Sequence, residues 1–320
     1  MHRSSSARPG HEGFAGKVAG ASLLASAALG ASLLTAGSAA AARAEVHRPA
    51  TSAAVEVPFL GATTTKSFAA TTSSLKTAVS SAGMMVLGQL NQAGALSVTG
   101  LHLKGAETFF VGNPTTGKKL FAMDPAVGAV IPVRMYVWVD GAGQTEVGYL
   151  QPSALGKAVS PALAKPLTML DGVAAKVVRS VTGHVATALG VVKNLSFVQV
   201  ASNKSFAATT SSLKTAVSSA GMMVLGQLNQ AGALSVTGLH LKGAETFFVG
   251  NPTTGKKLFA MDPAVGIEIP LGMYLWVDHA GRTEIGYFHP AQVLTAVSVK
   301  FKAFSAMFDS IAERVAHSAS

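Results

Sequence analysis

The segment Val111-Gly112-Asn113-Pro114-Thr115-Thr116-Gly117-Lys118-Lys119 has Gly, four residues, then Gly-Lys, and it recurs letter for letter at Val249–Lys257. That spacing belongs to phosphate-binding loops, in which backbone N–H groups cradle a nucleotide. Such a loop needs Ser or Thr after the lysine to hold magnesium, and here that position is Lys119 or Lys257. Pro114 and Pro252 each remove one N–H from the would-be cradle. The segment therefore reads as a turn. Gly-Asn-Pro ends a buried strand, and Asn113 and Asn251 bond their own backbone. Thr115-Thr116 then caps a short helix over Gly117–Met123, with Lys118 and Lys119 on a solvated face.

Other chemistry is sparse. Cysteine is absent, which excludes disulfides, thiolate metal sites and a cysteine nucleophile. Neither Gly-x-Ser-x-Gly nor His-Glu-x-x-His occurs. His102 and His240 have no second ligand nearby in sequence, so no metal site and no cofactor are expected. Glu107, Glu245, Glu146 and Glu284 fall in predicted strands as exposed polar residues, with acid–base work as the alternative reading.

Composition and charge frame the rest. The 320 residues are 49% hydrophobic and 12% charged, apolar enough for packed cores and too poor in charge for a disordered chain. Arg3, Arg8 and Lys17 precede the small apolar run 18–42, and Ala42-Arg43-Ala44 follows as a small-x-small site. This is the pattern of a secretory signal. The chain is expected to be exported, to a periplasmic, cell-envelope or extracellular place. Loss of residues 1–44 removes four cations and one anion, taking the formal charge from +10 to +7. That balance suits anionic envelope components; nucleic acid is not expected without an arginine-rich patch interleaved with aromatics.

One unit is written twice. Residues 66–128 and 204–266 are identical at an offset of 138, and 14 of the next 24 positions still match. Within each unit, Thr71-Thr72-Ser73-Ser74 is read as the cap of a helix closed by Gly83. Met84–Leu90, Glu107–Val111, Val133–Asp140 and Thr145–Leu150 read as strands, the last two forming a hairpin. Tyr136 and Trp138, like Tyr274 and Trp276, alternate along a strand and are assigned to a core face. Between the copies, Leu167, Leu170, Ala174, Val177, Val181, Val185, Leu189 and Val192 recur at helical spacing beside Lys176, Arg179 and Lys193. The tail residues Val297, Phe301, Phe304, Phe308 and Ile311 repeat the pattern. Both stripes read as helices covering the sheet of their own domain, with a membrane-surface helix as the alternative.

Gly100, Leu103, Gly112-Asn113-Pro114, Gly117, Leu120, Pro125, Pro132 and Asp140, with their mates 138 residues on, resemble the domain of unknown function 302 family. The resemblance covers roughly residues 62–152 and 200–290. It implies a helix packed on a curved antiparallel sheet and implies no established activity. Where that family often carries Asp-His after the second strand, this chain has Asn91-Gln92 and Asn229-Gln230. The family's acidic residue two positions before the proline survives as Glu268 but is Val130 in the first copy.

The expectation is thus an α+β protein: a signal segment over 1–44, a linker over 45–61, a first repeat domain over 62–160, a helical connector over 161–199 and a second repeat domain over 200–316. It reads as a non-enzymatic binding module for a small ligand or envelope component. The alternatives are an enzyme using a repeat carboxylate and a protein with peripheral membrane contact. Asn91, His102, Asn113, Asn229, His240, Asn251 and Glu268 are the candidate ligand-binding residues. The two copies are expected to pack as an intramolecular pseudo-dimer.

Overall fold

The structure, a computed structural model, describes residues 50–320; the signal segment and residues 45–49 of the expected linker lie outside the described residues, and the rest of that linker runs into the first strand of the first copy's sheet. The first copy runs β2 (Val55–Thr64), α1 (Phe68–Ser81), β3 (Met85–Asn91), α2 (Gln92–Ser97), β4 (Ala106–Gly112) and α3 (Pro114–Met123). A 3-10 turn (Pro125–Ala129) then leads to β5 (Val133–Val139), β6 (Thr145–Leu150), α4 (Pro152–Val159) and α5 (Ala164–Thr182). The second copy repeats this order: β8 (Phe197–Ser202), α6 (Phe206–Ser219), β9 (Met223–Asn229), α7 (Gln230–Ser235), β10 (Ala244–Gly250) and α8 (Pro252–Met261). It continues through a 3-10 turn (Pro263–Ile267) to β11 (Leu271–Val277), β12 (Thr283–Phe288), α9 (Pro290–Val297) and α10 (Lys302–Ala319). One further strand precedes each copy, β1 (Ala50–Thr51) and β7 (Thr187–Leu195). The chain is α+β, with two antiparallel sheets.

The sheets exchange their outer strands. One runs β3-β4-β5-β6-β2-β7 and the other β1-β8-β12-β11-β10-β9. So β7, which leads into the second copy, completes the first copy's sheet beside β2, while β1 sits on β8 of the second. Only Ser196 separates β7 from β8, fewer than the two residues of the tightest common hairpin loop, so β7 cannot fold back onto its own continuation.

Several local expectations shift. The first helix starts at Phe68, three residues before the Thr-Thr-Ser-Ser cluster, and Ser67 caps it by accepting from Ala70 N. Gly83 does end it, at φ 69°. The helical stripe between the copies stops at Thr182, where Gly183 turns left-handed at φ 81°, and Leu189 and Val192 belong to strand β7. Within α5, Leu167, Leu170, Ala174, Val177 and Val181 are buried in the same core as Leu75 and Val79 of α1, so the stripe covers its own copy's sheet. Among the described residues no helix is long and apolar enough to cross a membrane.

Tyr136 and Trp138 are core residues, as alternation requires, yet the core they enter is largely the other copy's. Met135 and Val137 face α1 with Phe109 and Val111. Tyr136, Trp138 and Phe59 instead join a cluster built around Phe247, Met273 and Phe301, while Tyr274, Trp276 and Phe197 join the first copy's cluster. Tyr136 Oη donates to Pro263 O and Tyr274 Oη to Pro125 O, each at 2.7 Å. Each buried Tyr or Trp removes on the order of 150–250 Å² from water, roughly 4–6 kcal/mol as an upper value. Four such side chains make separation of the copies far more costly than breaking a transient domain contact. The described residues accordingly fall into one compact unit.

Candidate ligand groove and axial slot

The Gly-Asn-Pro turn builds the wall of a groove. Asn113, rather than Thr115-Thr116, is the cap, and Pro114 is the first residue of α3, where its missing N–H costs nothing. Asn113 Oδ1 accepts from Thr115 N (2.9 Å) and Thr116 N (3.1 Å), and its Nδ2 donates to Gly83 O (2.8 Å). Asn251 makes the same three bonds. These two side chains spend their hydrogen bonds on holding the turn. Lys118 is not merely solvated: its ammonium donates to Thr237 O of the other copy at 2.7 Å, and Lys256 does the same to Thr99 O.

The groove lies between this turn, Leu170 of α5 and the start of α7 in the second copy, with Leu120, Phe121, Leu228 and Leu234 as apolar walls. It holds about 660 Å³ of empty space, including the part open to solvent. Asn113, Thr116, Asn229 and Gln230 are its polar residues. Asn113 and Asn229 thus line one groove from different copies. The equivalent hollow of the second copy is narrower, about 500 Å³, and is lined by Met307, Phe308 and Ile311. Phe308 stands where the first copy has Leu170, and Ile311 where it has Val173. Divergent helices therefore give identical turns unequal grooves.

The other candidates are dispersed. Asn91 is exposed and caps α2 by accepting from Gly94 N at 2.7 Å; Asn229 caps α7 in the same way. His102 and His240 are exposed, and His240 shares a hollow with Asn229 and Glu245. Among the described residues no group of three or more His, Asp or Glu could hold a metal. Glu107 and Glu245 are half-buried, and burial raises each carboxyl while Lys76 or Lys214 pulls it back. Gln92 and Gln230, in the place of the family's histidine, are buried at the contact between the copies. Gln92 Nε2 bonds Thr108 Oγ1 at 2.6 Å and Gly266 O at 3.4 Å; Gln230 Nε2 bonds Thr246 Oγ1 at 2.7 Å and Gly128 O at 3.2 Å.

Two of the places where charge differs between the copies bear on carboxyls raised by burial. Glu146 is raised to about 7 by burial, with Asp140 and Asp262 adding to the shift. Its mate Glu284 lies 3.7 Å from Arg282, and the first copy has Gln144 where Arg282 stands. Gln144→Arg should therefore lower the Glu146 pKa by roughly 1 unit or more. A carboxyl NMR titration unchanged by the substitution would refute this. The second place is a slot between the copies, lined by Arg134, Glu268, Phe110 and Phe248. Burial raises Glu268 to about 8, Arg134 opposing and Asp309 adding. Arg134 escaped the sequence reading, and Leu170 was read there only as part of the helical stripe. The visible signal for Arg134 was a cation within Val133–Val139 whose mate is Gly272.

The profile of the family described as Domain of unknown function DUF302 matches residues 61–181 and 198–317, one match per copy. This chain belongs to the DUF302 family. The first match takes in α5. A crystal structure of an uncharacterized conserved DUF302 protein from Bacillus stearothermophilus is similar to part of it: 21% identity and a TM-score of 0.36, over 38% of this chain and 96% of that one. No curated protein matches. In this DUF302 protein the Asn-Gln pairs serve as a helix cap and a bond between the copies, and the Gly-Asn-Pro turn frames the groove.

Proposed function

We propose that this DUF302 chain is an exported, non-catalytic binding module that acts as an intramolecular pseudo-dimer and takes an apolar small molecule in the groove beside Asn113. The observation that carries the reading is the groove itself: mostly apolar walls drawn from both copies, a few polar groups at its edge, and no acidic residue among those lining it. Glu107, Glu146 and Glu245 lie elsewhere, which favours binding over acid–base work. Export rests on the N-terminal pattern of the sequence.

The groove can be closed with the second copy's own residue. Leu170→Phe should lower affinity for the uncharged dye N-phenyl-1-naphthylamine at least tenfold in a fluorescence titration. Melting temperature is followed in parallel, since overpacking a core costs about 1–3 kcal/mol. Absence of dye binding to the wild type, or equal affinity in the variant, would refute the groove as the site.

A further inference from the structure

We propose that the slot between the two copies is a second site, which binds a small monocarboxylate with a short apolar body through Arg134. The slot sits on the local two-fold relation of the copies, because Phe110 stacks on its own mate Phe248 with ring centroids 4.6 Å apart. Its two ionisable residues, Arg134 and Glu268, both break the relation: their mates are Gly272 and Val130. Both residues line the same cavity, which holds about 770 Å³ of empty space including its opening.

Arg134 is the reason to expect an anion. Its NH1 donates to Glu268 O and its NH2 to Pro270 O, both at 3.0 Å, and its guanidinium carbon lies 5.7 Å from the centre of the Phe248 ring. Nε has no partner. Among the described residues no carboxylate oxygen lies within 4 Å of the guanidinium. Carbonyls and an aromatic face solvate the half-buried cation without neutralising it, and a cation drawn out of water without a counter-ion is costly. Burial already holds Arg134 down at about 10. An arginine fork matches a carboxylate in two parallel bonds. One cation with apolar walls such as Leu155, Phe288 and Val293 suits a monoanion better than a phosphate dianion.

Glu268 sets the pH range. Arg134 lowers its pKa, and burial and Asp309 of α10 raise it, to about 8. His289 lies 3.6 Å from Asp309. Below about pH 8 Glu268 is an uncharged acid that can donate to the bound anion; above it, Glu268 becomes an anion competing for Arg134.

Calorimetry on the full chain with hexanoate, hexanol and phosphate tests this. Hexanoate should bind at pH 6.5 at least tenfold more tightly than the other two. Arg134→Gly, the residue of the second copy, and Arg134→Met should each lose at least tenfold, with melting curves confirming that they are folded. Affinity should fall between pH 7 and pH 9, and Glu268→Gln should remove that fall. Hexanol or phosphate binding as tightly as hexanoate, unchanged binding in both Arg134 variants, or no binding by the wild type would overturn the proposal. Hexanoate binding lost in Leu170→Phe but kept in Arg134→Gly would assign it to the groove instead, and equally overturn it.

Discussion

Alanine at both Gly128 and Gly266 should destabilise the protein by about 4 kcal/mol, since overpacking typically costs 1–3 kcal/mol per site. A Cβ on Gly128 would lie 2.2 Å from Tyr274 Oη, and one on Gly266 equally close to Tyr136 Oη. The rings cannot retreat cheaply. Each is buried, and each is held by its hydroxyl to the carbonyl of Pro125 or Pro263 in the same 3-10 turn that carries the glycine. Moving the ring breaks that bond and leaves a buried carbonyl and hydroxyl unpaired. The loss corresponds to a fall in melting temperature of about 10 °C for a chain of this size. Gly172→Ala is the control. Nothing lies within 4 Å of its Cβ, and in the middle of α5 it should stabilise by up to about 1 kcal/mol. If the double variant melts with the wild type, the close contact between the copies is not as described.

Glu268→Gln should raise stability by up to about 5 kcal/mol above pH 8 and change it little below pH 4.5. The sign follows from linkage. An acid whose native pKa is raised binds its proton more tightly folded than unfolded, so it supports folding fully at low pH. That support drains away as pH rises from 4.5, the ordinary value, to about 8, where the native carboxyl ionises. At 1.36 kcal/mol per unit the gap amounts to roughly 5 kcal/mol, an upper bound. Glu268 is only 9% exposed, so solvent screening removes little of it. Denaturant unfolding at pH 4, 7 and 9 reads the difference between wild type and variant. A constant difference across that range would show that the native Glu268 pKa is not raised above its unfolded value.

The α+β class, the doubling and the hairpin β5–β6 were legible, because each depends on patterns within one copy: a repeated string, alternation with a period of two, and glycines at turns. The failures have local physical reasons. Five hydroxyl-bearing residues, Ser67 and Thr71 to Ser74, could each cap a helix. Tertiary packing decided for Ser67, since Phe68 lies against Gly105, which has no room for a Cβ. Leu189 and Val192 fit a helical spacing as well as a strand, and Gly183 outweighed periodicity. Strand alternation told which side Tyr136 and Trp138 share, but not that the other copy covers it. The groove was half legible: Asn113 and Asn229 belong to it, while Leu170, Leu234 and the exposed position of His102 depend on how the copies pack.

The exchange of β1 and β7 bears on how this protein assembles. A free-standing copy would present β2 or β8 as a bare sheet edge, and β7 cannot turn back to cover β8. Two such copies would have to find one another in solution, and their union would fail on dilution. Tethering them in one polypeptide turns that encounter into a unimolecular step at a high effective concentration. The span β7–Ser196–β8 is thus at once the tether and the closing element, and it frees the protein's integrity from its abundance.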